Sequence, residues 1–325
     1  MATRADDLIE RHRLRRKLTF WRVAALAVAG FGIAAAAYAL GDDGFRGRAV
    51  DHIAKIKIEG TITEDEKLIE RLEDIRKANH VKGVILSIDS PGGTTVGGEA
   101  IYEQVRKLAR DKPVAAQVGT LAASAGYMIA TATDHIVARQ SSIIGSIGVL
   151  IQFPNFTNMM EKLGITLDEV KSSPLKAEPS PFNPTTEPER AMLRSMILDS
   201  YDWFVGLVEE RRPLSRAEVT AIADGSVFTG RQALQRKLVD SLGGEEKAID
   251  WLGTKGVDTK LEVVEWKPEK SSGGFFFSQA LSNRIAQALG LPSGSLDVLH
   301  ELGAERLFLD GLLSVWHPER AAIRG

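Results

Sequence analysis

From residue 50 onward the chain switches repeatedly between two hydrophobic periods. Residues 53–59 alternate apolar and polar positions, the period of a half-buried strand. Over 64–78, Leu68, Ile69, Leu72 and Ile75 recur at helical spacing and predict an amphipathic helix. Residues 81–88 form a nearly unbroken apolar run, as in a strand buried on both faces. The alternation continues with a helix over 98–109, a strand over 113–118, a helix over 124–132 and short strands at 135–138 and near 147–151. Strands separated by helices need crossover connections, so the pattern predicts an α/β fold with a mostly parallel sheet.

Farther along, the spacing predicts a helix over 155–163, a short strand over 167–171 and a long helix over 189–211. That helix has Met192, Met196, Ile197, Trp203, Phe204 and Leu207 on its apolar positions. A helix over 216–223 capped by Ser215, a strand–turn–helix over 227–234, a helix over 245–252 and a strand over 261–264 complete the series. Between them, residues 172–188 are rich in Pro and Ser and lack periodicity, which predicts a long loop of the kind that is usually functional. Ser271-Ser-Gly-Gly274 marks a break, and 275–289 and 296–313 read as two amphipathic helices. Phe275, Phe276 and Phe277 suit subunit or core packing, with insertion into a membrane surface as the alternative.

The N-terminal pattern is different. Val23 to Leu40 is an 18-residue run without a charge. As a helix it spans about 27 Å, close to the hydrocarbon thickness of a bilayer. Phe20 and Trp21 stand at one end and Tyr38 at the other, where amphipathic rings favour the interface. Seven basic residues up to Arg22 outweigh Asp6, Asp7 and Glu10, which keeps this flank on the cytoplasmic side. The run therefore predicts a single-pass anchor, with everything after Gly41 exported. Ala37-Tyr38-Ala39 has the form of a signal-peptide cleavage site and supplies the competing reading. The predicted division is a basic segment over 1–22, a transmembrane anchor over 23–40, a linker over 41–49, a catalytic domain over 50–270 and a helical extension over 271–325.

Composition narrows the chemistry. The chain of 325 residues has 44% hydrophobic and 26% charged residues, an ordinary globular balance. A net charge of −2 predicts no nucleic-acid partner. The absence of cysteine removes disulfides, thiol catalysis and thiolate metal sites. No His/Asp/Glu cluster has ligand spacing, so no metal or cofactor is predicted.

Ser124 is the leading candidate for chemistry. It lies in Leu121-Ala-Ala-Ser-Ala-Gly-Tyr127, where an apolar strand ends and a helix opens. A hydroxyl there sits beside backbone N–H groups able to hold developing negative charge. Asp89-Ser-Pro-Gly-Gly93 reads as a second small-residue turn after a second strand. The two suggest a nucleophile and an oxyanion hole, with donors from Ala125 N–H and from the Gly92–Gly93 turn. No Gly-Lys-Ser/Thr follows the glycines, which argues against a phosphate loop.

A serine needs a base. The six histidines are poorly placed, and His135, the nearest in sequence, lies roughly 16 Å away at helical rise. A desolvated lysine can serve instead, because burial disfavours the ammonium form. Lys162, Lys171 and Lys176 are the candidates. Lys162 stands beside Glu161 on a predicted helix, and Lys171 ends a predicted strand. Lys176, with apolar neighbours in a loop able to fold over a cleft, is favoured, and Lys171 stays open.

Five segments then occur in order: Asp89-Ser-Pro-Gly-Gly93, Ala123-Ser-Ala-Gly-Tyr127, Gly145-Ser-Ile-Gly-Val149, Lys171-Ser-Ser with Lys176, and Ala223-Asp-Gly-Ser-Val-Phe-Thr-Gly-Arg-Gln232. In these the chain resembles the short form of signal peptide peptidase A, a bacterial membrane-anchored Ser-Lys protease family related to ClpP and the crotonase fold. The resemblance covers about 53–252. It implies a ClpP/crotonase-like fold of repeated ββα units, Ser124 as nucleophile, Lys176 rather than Lys171 as base, and an oxyanion contribution from Gly93. It also implies a homo-oligomer with active sites at subunit contacts, apolar peptide substrates such as cleaved signal peptides, and a bacterial inner-membrane location with the catalytic domain outside the cytoplasm. Many members have Gly where this chain has Ala125, whose N–H serves only if its φ is not strongly positive. Two other readings compete: an acyl-CoA hydratase or hydrolase of crotonase type, and a non-catalytic membrane scaffold in which Ser124 is a helix cap.

Overall fold

The computed structural model describes residues 21–31, 50–268 and 313–315. The chain divides into a unit of residues 1–50 and a unit of residues 51–325. In the first, residues 21–31 form helix α1, with Trp21, Leu26, Val28 and Phe31 exposed. No helix among the described residues is long and apolar enough to cross a membrane. The second half of the predicted 23–40 span lies outside the described residues.

In the second unit the order is β1 (His52–Ile62), α2 (Glu66–Lys77), β2 (Val81–Thr94), α3 (Thr95–Asp111), β3 (Val114–Ala123), α4 (Ala125–Thr131), β4 (His135–Ala138) and β5 (Ile143–Gly145). Then come α5 (Thr157–Leu163), α6 (Glu187–Arg211), α7 (Arg216–Thr220), β6 (Val227–Thr229), α8 (Gly230–Gln235), β7 (Ser241–Leu242), α9 (Glu245–Thr254), β8 (Val263–Glu265) and β9 (Leu313–Val315). Among the described residues these strands form one sheet, with the path β6-β5-β3-β2-β1-β8. The β1–β2, β2–β3, β3–β4, β3–β5, β4–β7 and β1–β8 pairs are parallel. The β5–β6 and β2–β9 pairs are antiparallel. The α/β class with a mostly parallel sheet follows from the βαβ alternation of the sequence.

Both sheet faces are covered, as crossover helices require. Ile56, Ile58, Val84, Leu86 and Ile88 point into the larger core with α2, α3 and α4. Ile53, Ile85, Ala115 and Val137 point the other way, onto Ala248 and Leu252 of α9. Strand β3 forks: residues 115–118 pair with β4, while 121–123 pair with β5. That fork lets the end of β3 leave the β4 side and carry Ser124 onward.

Several local expectations need correction. Residues 167–171 form no strand, since Leu167 and Val170 are exposed and have no sheet partner to satisfy a backbone ladder. The strand expected near 147–151 lies earlier, at Ile143–Gly145, where β3 and β6 both offer a partner. Helix α6 buries Phe204, Val205 and Val208 in its C-terminal part, whereas Met196, nearer its start, is exposed. Leu313 begins strand β9 rather than ending a helix; the remainder of the two predicted C-terminal helices lies outside the described residues.

Candidate active site

Ser124 sits between β3 and α4 with φ 57° and ψ −120°, a region that L-residues avoid. Holding it there costs about 1–3 kcal/mol. Two backbone bonds enforce it. Its N–H donates to the Gly145 carbonyl at 2.8 Å, and its carbonyl accepts from Met128 N–H at 2.9 Å, which starts α4. The side chain makes no N-capping hydrogen bond, so the helix-cap reading of Ser124 has no support in the geometry. Ser124 is 1% exposed. A strained serine on a strand-to-helix turn is the arrangement that presents a nucleophilic hydroxyl at the end of a sheet.

The strain at Ser124 does not extend to the next residue. Ala125 is not among the positive-φ residues, so alanine is compatible with this position. As the first helical residue its N–H has no acceptor within α4 and is available to a ligand.

Residues 89–93 differ from the turn read in the sequence. They continue β2 through an irregular stretch, with register shifts against β1 and β3 and Gly92 at φ 103°, and Gly92 and Gly93 pair with Thr61 and Ile62 of β1. The small residues are there for close approach. A Cβ on Gly93 would lie 1.7 Å from the Ile62 carbonyl oxygen, and one on Gly126 2.9 Å from the Ser90 carbonyl oxygen. Buried Ser90 fixes this stretch: its hydroxyl donates to Gly60 O at 2.6 Å and accepts from Gly92 N–H at 3.1 Å. Asp89 ties it to β3 by accepting from Leu121 N–H at 3.1 Å. Neither Ser90 nor Asp89 stood out in the sequence, although both lie in the segment that did. On the far side of α4, buried Tyr127 donates to Leu238 O at 2.9 Å, and burial raises its phenol well above the ordinary range.

The lysines separate. Lys171 pairs with both Glu169 and Glu178. The hydrogen bond from Lys171 and one from Ser180 N–H hold the Glu178 carboxyl below its ordinary range. Lys171 is thus engaged by two carboxylates. Lys162 lies on α5, a helix with no buried residue. Lys176 sits in a tight turn, its N–H donating to Ser173 O at 3.1 Å, followed by Ala177 at φ 61°. Lys176 is exposed, whereas Ser124 is buried. The segment that carries it exposes Phe153, Met159, Leu163, Ile165, Val170 and Leu175.

The described histidines have structural positions. His135 pairs with Ala115, nine residues before Ser124 along β3, so the strand puts them roughly 30 Å apart. Helical rise had suggested half that distance, because the extension of β3 was not visible in the sequence. His135 stacks on Trp251 at 5.1 Å and its Nε2 lies 2.9 Å from Ser241 Oγ. Buried His52 accepts from Trp266 Nε1 at 3.1 Å, and His80 pairs with Asp51.

Burial pushes the His135 imidazole below its ordinary value of 6.5, against the opposing influence of Asp240. The unfolded chain then binds this proton more readily than the folded one. The corresponding stability is complete above pH 6.5 and is lost as pH falls below it. The urea midpoint should therefore drop between about pH 7.5 and pH 5.5, and His135→Gln should flatten that drop. An equal drop in the variant assigns it to other groups.

A parallel α/β sheet that ends in a strained, buried serine at a helix start, beside a glycine-lined strand end, defines a serine hydrolase. The comparisons narrow the class. The profile of peptidase family S49 matches residues 106–259, and that of Clp protease matches residues 49–144. The chain is 38% identical over 222 residues to a protein of Methanocaldococcus jannaschii named as a protease, covering 68% of this chain and 71% of that one. It is 34% identical over 233 residues to a protein of Enterococcus faecium named as a signal peptide peptidase, SppA, covering 71% and 67%. Protease 4 of Haemophilus influenzae is 33% identical over 282 residues, covering 79% of this chain but 45% of that protein. The chain belongs to peptidase family S49 and is a serine peptidase.

Proposed function

We propose that this chain is a membrane-anchored endopeptidase that uses a Ser124–Lys176 dyad to degrade apolar peptide segments, cleaved signal peptides among them. The observation that carries the reading is the strained backbone of Ser124, which no capping role accounts for. Ser124 Oγ attacks the scissile carbonyl while Lys176, as the neutral amine, takes its proton. The N–H groups of Gly93 and Ala125 hold the oxyanion. Lys176 returns the proton to the leaving amine, and water then releases the acyl group from Ser124.

This dyad needs Lys176 out of water and against Ser124. Subunit assembly supplies both. The exposed apolar side chains of 153–182 form a surface that a lone soluble domain rarely keeps bare, and burying them against a second copy encloses Lys176. The working form is therefore a homo-oligomer of ClpP/crotonase-like subunits. Residues 23–40 anchor it in a bacterial inner membrane, with the catalytic domain on the outer side. The dyad uses no metal or cofactor.

A fluorophosphonate probe tests the assignment. Mass spectrometry should place the adduct on Ser124 in the wild type, and labelling should slow by at least about tenfold in Lys176→Ala. An adduct on another serine, or unchanged labelling in Lys176→Ala, overturns the nucleophile or the base respectively.

A further inference from the structure

Two neighbouring side chains bridge the sheet where its ladders break beside the site. Strands β1 and β2 keep register from Ile53 with Gly83 to Glu59 with Asp89 and resume at Thr61 with Gly92, so Gly60 on one strand faces Ser90 and Pro91 on the other. Strands β2 and β3 keep register from Val84 with Val114 to Ile88 with Val118 and resume at Ser90 with Ala122, so Asp89 alone faces Gly119, Thr120 and Leu121. Each mismatch interrupts the main-chain ladder, and Pro91 has no N–H to offer. The Ser90 hydroxyl spans the first gap, donating to Gly60 O at 2.6 Å and accepting from Gly92 N–H at 3.1 Å. The Asp89 carboxylate spans the second, accepting from Leu121 N–H at 3.1 Å. The first bridge ends next to Gly93, and the second at the start of the Leu121–Ala123 run that leads into Ser124. Ser90 also touches the helix behind the nucleophile, since its carbonyl oxygen fills the space a side chain at Gly126 would need.

We propose that Asp89 and Ser90 are positioning residues that set the spacing between the Ser124 hydroxyl and the Gly93 N–H. They act through the backbone, each tying one half of the site to the same irregular stretch of β2. The inference rests on the reading of Ser124 as nucleophile and Gly93 as oxyanion donor. Such a donor works only within hydrogen-bond distance of the oxygen that becomes charged, and a misplacement of about 1 Å costs about 10²-fold in rate. Ser90→Ala unties Gly92 from Gly60 and lets the end of β2 shift. Ground-state binding of a peptide makes no use of the oxyanion hole and is spared.

The test uses the full chain and a fluorogenic peptide. Ser90→Ala should lower kcat by about 10- to 100-fold, with KM within about threefold of wild type. The Ki of a peptide boronic acid, whose tetrahedral adduct on Ser124 places an oxygen in the same hole, should rise by the same factor as kcat falls. Thr133→Val is the control. It removes another buried hydroxyl, which donates to Ala130 O at 2.8 Å, and should lower the urea midpoint while kcat stays within about twofold. Asp89→Ala should lose kcat as Ser90→Ala does. Asp89→Asn, whose amide oxygen still accepts from Leu121 N–H, should keep kcat within about threefold of wild type. A kcat within about threefold of wild type in Ser90→Ala, or a boronate Ki that stays constant while kcat falls, overturns the role of Ser90. Full kcat in Asp89→Ala, or equal losses in Asp89→Asn and Asp89→Ala, overturns that of Asp89. If Ser90→Ala misfolds by far-UV circular dichroism, Ser90→Cys, of similar volume and weaker hydrogen bonding, takes its place under the same criteria. Failure of the underlying site is seen separately, as an adduct that maps away from Ser124 or as full kcat in Gly93→Ala.

Discussion

Ser124→Ala is expected to lower kcat/KM for peptide hydrolysis by a factor on the order of 10⁴ to 10⁶, with the thermal midpoint nearly unchanged. The catalytic loss is that of removing a nucleophile whose partners can act only through it. The structural neutrality has a separate reason. Alanine has the same backbone cost at φ 57° as serine, and the two bonds that hold the elbow are main-chain bonds to Gly145 and from Met128. With the proposed dyad, Lys176→Met should fall to a similar floor, because the hydroxyl would then have no acceptor for its proton. Lys176→Arg is the sharper variant. A guanidinium keeps the charge and reach of lysine but cannot become a neutral base, so it should be as inactive as Met. The double variant Ser124→Ala/Lys176→Met should lose no more than either single change, since the two groups act as one unit. Activity above about a tenth of wild type in Ser124→Ala, or in Lys176→Arg, sinks the corresponding half of the dyad.

The sequence revealed the parts of this site unevenly, and the differences have physical causes. Ser124 was legible because only small residues can fill the junction where β3, β5 and α4 converge, and they stand out against the apolar strands around them. The βαβ order was legible because both faces of the inner strands are buried, which leaves long apolar runs. Residues 89–93 misled in part, because Gly and Pro mark turns more often than strand, and here they mark an irregular stretch inside β2. Here the glycines serve β1, whose Ile62 carbonyl occupies the space a side chain would need. The 167–171 stretch misled in the opposite sense: it read as a short strand, but it pairs with no strand of the sheet. The sequence favoured Lys176 as the partner of Ser124, but did not show how an exposed lysine would reach a buried serine. That depends on where an exposed arm packs, and nothing local to the loop encodes it.

Gly93→Ala is expected to be the most damaging single methyl that can be added near the site. Its Cβ would fall 1.7 Å from the Ile62 carbonyl oxygen and 2.5 Å from the carbonyl carbon. Both are backbone atoms of the neighbouring strand, so no side chain can rotate away to make room. Strands β1 and β2 must separate at Ile62–Gly93, where their pairing ends. Overpacking in a core usually costs about 1–3 kcal/mol, and a clash with paired backbone belongs at or above the top of that range. The separation also displaces the Gly93 N–H, and if that group is the oxyanion donor proposed above, kcat should fall by about 10²- to 10³-fold in whatever fraction remains folded. Gly256→Ala provides the contrast. Gly256 has φ 86° but nothing within 4 Å of an added Cβ, and it lies beyond α9 on the other sheet face. Its cost should be only the left-handed penalty of about 1–2 kcal/mol, with kcat unchanged. Urea midpoints and kcat measured side by side separate the two. If Gly93→Ala is no less stable than Gly256→Ala and retains full kcat, then β1 does not hold β2 as closely as this register requires, and Gly93 is not an oxyanion donor.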